Sequence, residues 1–427
     1  MRPSADSNAL GQESPAGRTV FLALPDWRAG LSYLVCLIFF VSLSAGQGLV
    51  LGPVSVQVDE FIAGLAIVVL SILGEAFSSE KAWERRESRL MALAFCVIAL
   101  WGFVLWLVGN NWRDRSPMIL NWAVCGLLVY VLLVRVRLDW EWIAFVFALA
   151  AVPNSAVAIQ QHFAGIVYGY KNLLGWLPMN VGGSKPAPGF FSFPNSMAAY
   201  LLWPFVISVG LAFQGSSIRR ILSAVCVLLA GLALFWTYSR TAILTAGVAL
   251  VLCVIISLAR RRRVALLGLG ITALVTAIGA AVILAQHPFS LLSSGRPVIW
   301  SEALRIIGSN RFLLAWGYLN TTKGPEYLSP WWVPHNIYLM LWMEFGVLGV
   351  AFLVGLLAHI VWLGWTCYGR IRQSPLLLAS WGVLLAFFLV EGMATNDLLE
   401  TFSVLTFASG MCILVGLLEQ ARPLAME

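Results

Sequence analysis

Runs of roughly 20 predominantly apolar residues recur along the whole chain, each long enough to cross a hydrocarbon layer of about 30 Å as an α-helix. About twelve such runs are legible, centred near Cys36, Ala66, Ile98, Gly126, Ala148, Phe205, Leu229, Ala249, Ala273, Val350, Leu385 and Ser409. Of the 427 residues, 60% are hydrophobic and only 11% are charged, so a water-soluble fold would have nowhere to hide its apolar surface. The expected fold is an all-α polytopic membrane protein with about twelve transmembrane helices.

Charge placement orients such a fold. With both termini cytoplasmic, the inside connections hold 18 of the 27 Lys and Arg, among them Lys81, Arg85, Arg86, Arg89, Arg135, Arg137, Arg219, Arg220, the run from Arg260 to Arg263, Arg370 and Arg372. The other nine lie outside: Arg113, Arg115, Lys171, Lys185, Arg240, Arg296, Arg305, Arg311 and Lys323. Short, basic inside connections are what the positive-inside rule requires, so the net charge of +7 is a topology signal and calls for no nucleic-acid partner. Trp101, Trp112, Trp140, Trp142, Trp331 and Trp332 stand at segment ends, where amphipathic rings settle in the membrane interface. The seven cysteines lie almost all within apolar runs without a CxxC, and read as small buried hydrophobes.

The expected organisation follows. Residues 1–28 are polar and carry Pro, Ser and Gly, which reads as a disordered cytoplasmic lead. The first apolar run ends in Ser44, Ala45 and Gly46, loosely like a signal-peptide cleavage site, but the lead is long for a signal and helix parity works with the run retained. Helices one to nine occupy 29–285 and include an outside loop over 165–194, which is rich in Gly and Pro from Val181 to Asn195. A large outside loop spans 286–335, helices ten to twelve occupy 336–419, and 420–427 form a cytoplasmic tail. Long loops in compact membrane proteins are where function usually sits.

Three ionisable residues fall on the outer side where helices should begin. Arg240 lies in a Thr237-Tyr238-Ser239-Arg240 connection so tight that one helix must end and the next start within a few residues, with Ser239 placed to cap the second. Arg296 precedes Pro297, which suits a first helical turn, and the spacing of Trp300, Leu304 and Ile307 predicts a short amphipathic helix behind it. His335 follows Pro334, which favours an extended residue before it and predicts His335 in the first turn of the tenth helix. A helix start offers free N–H groups and partial positive charge, so the two arginines suit phosphate and the imidazole is held neutral, ready to take a proton from a hydroxyl. Each also has a plainer reading: an arginine anchored to lipid headgroups, or a histidine packed among aromatics.

Further residues are candidates for acceptor or cavity contacts: His162, after Gln160 and Gln161 at the outer end of the fifth helix, with Arg305, Arg311 and Lys323 in the large loop. No HExxH, no DxD before an outside loop and no His/Cys/carboxylate cluster argues for a metal, and no Walker A or GxGxxG stretch argues for a nucleotide. Outward-facing arginines with a neutral histidine therefore suit transfer from a lipid-linked pyrophosphate to an alcohol, with guanidiniums neutralising the leaving charge.

Four short motifs carry a resemblance: Pro194-Asn-Ser-Met-Ala-Ala-Tyr200, Thr237-Tyr-Ser-Arg-Thr-Ala242, Gly295-Arg-Pro-Val-Ile-Trp300 and Pro334-His-Asn-Ile-Tyr338, in that order and followed by two more apolar runs. Over roughly residues 150–418 the chain resembles the O-antigen ligase and O-antigen polymerase superfamily. That resemblance implies a GT-C-like, bacterial inner-membrane glycosyltransferase with a periplasmic helical loop domain and a periplasmic active site. It implies an undecaprenyl-diphosphate-linked glycan as donor, lipid A-core as acceptor in the ligase branch, inversion at the anomeric carbon, and no metal or other cofactor. The family's essential arginines map by motif to Arg240 and Arg296, and its histidine to His335. One major loop just before the Pro-His-Asn helix favours a ligase over an O-antigen polymerase. A lipid-linked oligosaccharide flippase would instead spread its charges along a midplane path and often show inverted repeats. Transfer by the purified protein is expected to survive excess EDTA undiminished, and an absolute requirement for added divalent ions would contradict this chemistry.

Overall fold

The computed structural model describes residues 27–45, 50–51, 56–75, 86–108, 123–135, 139–164, 166–168, 178–180, 186–191, 194–214, 216–258, 296–309, 311–316, 336–392 and 401–420. The apolar run centred near Ala273, the polar lead and the C-terminal tail lie outside them.

The described chain is helical. It begins with α1 (Trp27–Ala45), α2 (Val58–Glu75) and α3 (Arg86–Val108), then α4 over 123–130, which widens into a π turn at Val131–Arg135. Next come α5 (Trp140–Ala164), α6 (Pro194–Ala212), α7 (Ser217–Trp236) and α8 (Arg240–Leu258). Two short helices, α9 (Arg296–Ser309) and α10 (Arg311–Trp316), precede α11 (Ile337–Thr366), α12 (Tyr368–Gln373), α13 (Pro375–Ala386, continued by a π turn at Phe387–Glu391) and α14 (Thr401–Gln420). Two antiparallel pairs interrupt the helices, Val50–Leu51 with Val56–Gln57 and Ile166–Tyr168 with Pro178–Asn180.

Five of these helices are long and apolar enough to cross a membrane: Trp140–Ala164, Pro194–Ala212, Ser217–Trp236, Arg240–Ser257 and Ile337–Thr366. Shorter apolar helices flank them, including Gly30–Leu43, Arg89–Leu105, Pro375–Glu391 and Leu405–Leu418. The surface agrees with the composition. Leu93, Val97, Leu100, Val104 and Leu107 form an exposed stripe on α3, and Ile221, Val225, Leu228, Leu232 and Phe235 form another on α7. Recurrence every three or four residues puts each set on one helical face, and such continuous apolar faces suit contact with lipid.

Inside, α13 and α14 form the centre, with the described side chains on both almost entirely buried. Trp203 of α6, Phe387 and Phe407 interleave there, with ring centroids 5.2 and 5.5 Å apart for the Trp203–Phe387 and Phe387–Phe407 pairs. The first helix packs into this core. Phe39, Phe40 and Leu43 of α1 are buried, and Phe40 meets Phe147 of α5 edge-on at 4.9 Å.

A break divides α11 at Gly346, whose φ of 63° and ψ of −150° leave the helical region. Trp101 of α3 donates its indole N–H to the carbonyl of Phe345 at 3.1 Å, giving a partner to a peptide group at the break. At the opposite end of the bundle a polar clasp ties four elements together. Gln214, just past α6, donates to Glu141 of α5 at 2.6 Å and accepts from the Ser374 hydroxyl at 2.8 Å and the Leu376 N–H at 3.3 Å. Arg219 of α7 adds a 3.5 Å ion pair to Glu141 and lies 5.1 Å from the Trp142 ring centroid. Replacing Gln214 with Leu strands polar groups on both neighbours, so unfolding stability in detergent is expected to fall by about 1–3 kcal/mol. A thermal melt unchanged from the native protein would refute the clasp.

Candidate functional site

The end of the bundle away from this clasp is built around a three-residue reversal between α7 and α8. The Thr237 hydroxyl donates to the carbonyl of Leu234 at 2.7 Å and accepts from the N–H of Ser239 at 3.2 Å. Tyr238 between them takes a positive φ of 54°. For a residue with a Cβ this left-handed conformation costs about 1–2 kcal/mol, and it lets the chain turn back so that α8 starts at Arg240. The Ser239 carbonyl receives the N–H of Ile243 at 3.1 Å, so Ser239 supports the first turn through its backbone. Arg240 itself is exposed.

A second piece of irregular backbone, residues 186–191, is held against this reversal by buried amides. Gln161 donates to the Gly189 carbonyl and accepts from the Gly189 N–H, both at 2.8 Å, and Asn154 accepts from the N–H of Phe190 at 2.8 Å. Gly189 has a φ of 60°, and a Cβ there would run into the Asn154 amide and the Met197 sulfur. The N–H of Ala187 donates to the Trp236 carbonyl at 3.0 Å, which links the loop to the end of α7. Beside that link, His162 stacks on Trp236 with ring centroids 4.6 Å apart and an interplanar angle of 11°. Phe163 meets Trp236 edge-on at 5.0 Å, and the Tyr238 ring lies 6.5 Å from His162.

α11 begins at the same end. Asn336 is its N-cap, accepting from the N–H groups of Tyr338 and Leu339 at 3.0 and 3.1 Å. The helix therefore starts after His335, which precedes the cap rather than lying in the first turn; its own position is outside the described residues. Tyr338 donates to the Phe388 carbonyl at 2.7 Å, and Thr245 of α8 donates to the Glu391 carboxylate at 2.9 Å. These two bonds bring the beginnings of α8 and α11 to the π turn that ends α13.

α9 runs from Arg296 to Ser309, where Pro297 and the apolar spacing place a helix. Its buried stripe differs from the expected one: Ala303 and Ile307 pack on Leu339 and Met343 of α11, with Trp300 partly buried, while Leu304 is 52% exposed. Docking decided this, because the small Ala303 lets the helix approach α11 closely. Arg305 forks onto Glu302 one turn back, with its Nε 2.7 Å from the carboxylate, so its charge is already partnered. Arg311 is exposed at the start of α10, and Lys323 lies outside the described residues. The structure thus gathers Arg240, the His162 stack and the start of α11 at one end, with the helix that Arg296 begins docked on the first turns of α11.

Sequence reasoning passed over Glu391, which is fully buried, as well as Asn154 and Gln161. A carboxylate inside an apolar run and an Asn–Gln pair seven residues apart on one helical face were the available signals.

The fold is that of a polytopic helical membrane protein, with Arg240 exposed where α8 begins. Residues 225–354 match the protein-family model described as O-Antigen ligase, a stretch that contains Arg240, Arg296 and His335. The match supports assignment to the O-antigen ligase family, and it covers less than a third of the chain. A search of curated proteins found no match. Gln161→Leu removes both partners of Gly189, and is expected to destabilise by about 1–3 kcal/mol and to speed amide exchange at Gly189 selectively. Unchanged exchange there would show that the loop holds itself.

Proposed function

We propose that the chain is a glycosyltransferase of the bacterial inner membrane, with about twelve transmembrane helices, both termini cytoplasmic and the Arg240 end facing the periplasm. It moves O-antigen glycan from undecaprenyl diphosphate to a sugar hydroxyl of lipid A-core in lipopolysaccharide biosynthesis. The observation that carries this reading is the exposed Arg240 at the first residue of α8, on the end of the bundle where α11 starts, within the stretch that matches the family. The basic residues Arg219, Arg370 and Arg372 near the opposite, clasped end support the orientation.

In the proposed mechanism the guanidiniums of Arg240 and Arg296 hold the donor's diphosphate through paired N–H donors. The acceptor hydroxyl attacks the anomeric carbon from the face opposite the diphosphate. A carbon–oxygen bond forms as the bond to the diphosphate breaks, with inversion. The hydroxyl proton goes to the His335 imidazole, and the electron pair leaves on the diphosphate oxygen, where the two arginines stabilise the growing negative charge. The high-energy donor supplies the driving force, so no nucleotide or metal is needed.

Purified protein with lipid-linked glycan and lipid A-core is expected to yield joined product, and failure with verified donor and acceptor would sink the ligase reading. Product in which glycan is instead extended on the carrier would mark a polymerase. Arg240→Ala is expected to slow transfer by about 10²–10³-fold, with Arg240→Lys rescuing poorly. His335→Ala should lose about 10²–10⁴-fold in turnover while still binding donor; near-normal turnover would reject its role as base.

A further inference from the structure

The family match begins at residue 225, so it leaves out His162, and the mechanism above uses neither His162 nor Tyr238. Yet the fold brings His162 within 6.5 Å of the Tyr238 ring, two residues before Arg240. His162 lies flat on Trp236, which fixes the plane of the imidazole. Its Nδ1 is buried with no hydrogen-bond partner, so the less costly neutral tautomer places the proton on Nε2 and makes that atom a donor. Tyr238 is held two residues before Arg240 in the left-handed region and is 46% exposed, with its ring 6.5 Å from the imidazole and tilted by 56°. An exposed aromatic ring and an exposed guanidinium thus stand two residues apart, with the stacked imidazole beside the ring.

We infer that His162 and Tyr238 form a subsite for the sugar ring joined directly to the donor's diphosphate. This rests on the reading of Arg240 as a diphosphate ligand. A sugar bonded to that diphosphate must lie within one residue's reach of the guanidinium. A pyranose presents polar hydroxyls around its edge and a patch of C–H groups on its face. The C–H patch suits the negative face of the Tyr238 ring, and an edge oxygen suits the His162 N–H. The stacked His162 and Trp236 lose little rotamer freedom on binding, because packing has already fixed them. The left-handed backbone of Tyr238 is part of the reversal that leaves its ring partly exposed beside His162.

The test uses the full-length protein in nanodiscs and two probes, undecaprenyl diphosphate and the same lipid carrying one N-acetylglucosamine. Tyr238→Gly removes the ring and also relieves the left-handed strain, so it is expected to fold at least as stably as the native chain. His162→Ala and Tyr238→Gly should each weaken binding of the sugar-bearing probe about tenfold while changing binding of the bare diphosphate by less than about twofold. Arg240→Ala should weaken both probes together. Equal losses on the two probes in the His162 and Tyr238 variants, or no loss on either, would overturn the subsite and leave a diphosphate contact or an interfacial aromatic anchor in its place. Native protein that holds the bare diphosphate in that outcome keeps the donor reading intact. If Arg240→Ala leaves both probes bound, the donor reading fails and the subsite fails with it.

Discussion

A bilayer offers no hydrogen bonds, so each peptide group at membrane depth must find its partner inside the protein. That requirement shapes this molecule throughout. It makes the apolar runs helical and confines irregular backbone to places where a side chain or another segment can satisfy it. The break at Gly346 is tolerated beside the indole N–H of Trp101. The turn at Gly189 is tolerated because Gln161 and Asn154 supply its partners. The reversal at Thr237–Ser239 is closed by the hydroxyl of Thr237.

The same requirement governs where charge can sit in such a fold. Charged groups are expensive in the hydrocarbon and cheap at its boundary, so an enzyme with an anionic, lipid-anchored substrate gains by placing its cations where helices start. Arg240 is carried to the start of α8 by a turn so short that its middle residue is left-handed. Glu391, buried and bound by Thr245, couples the first turns of α8 to the end of α13, while Tyr338 couples α11 to the same turn. The starts of α8 and α11 are therefore both tied to the end of α13.

Much of this was legible in the residues. The positions of Arg240 and of the helix at Arg296 followed from turn chemistry and from Pro297, because helix starts are set by local stereochemistry. Where local rules were stretched, they slipped by small amounts. The helix of the tenth apolar run begins at Ile337, two residues beyond His335, since Asn336 is the better cap, and the stripe on α9 rotated from Leu304 to Ala303 when it met α11. Periodicity says that a helix has an apolar face, but only the partner chooses its centre line.

Composition and order of residues determined that this chain is a helical membrane protein, how its basic connections are distributed, and which short motifs open its helices, because hydropathy and turn stereochemistry act over a few residues. Tertiary structure alone decided that Gln161 would hold Gly189, that Thr245 would meet Glu391, and that His162 would lie flat on Trp236 beside Tyr238. Those pairings join positions apart in the chain, and they exist only because close packing of the helices brings these groups within reach of one another.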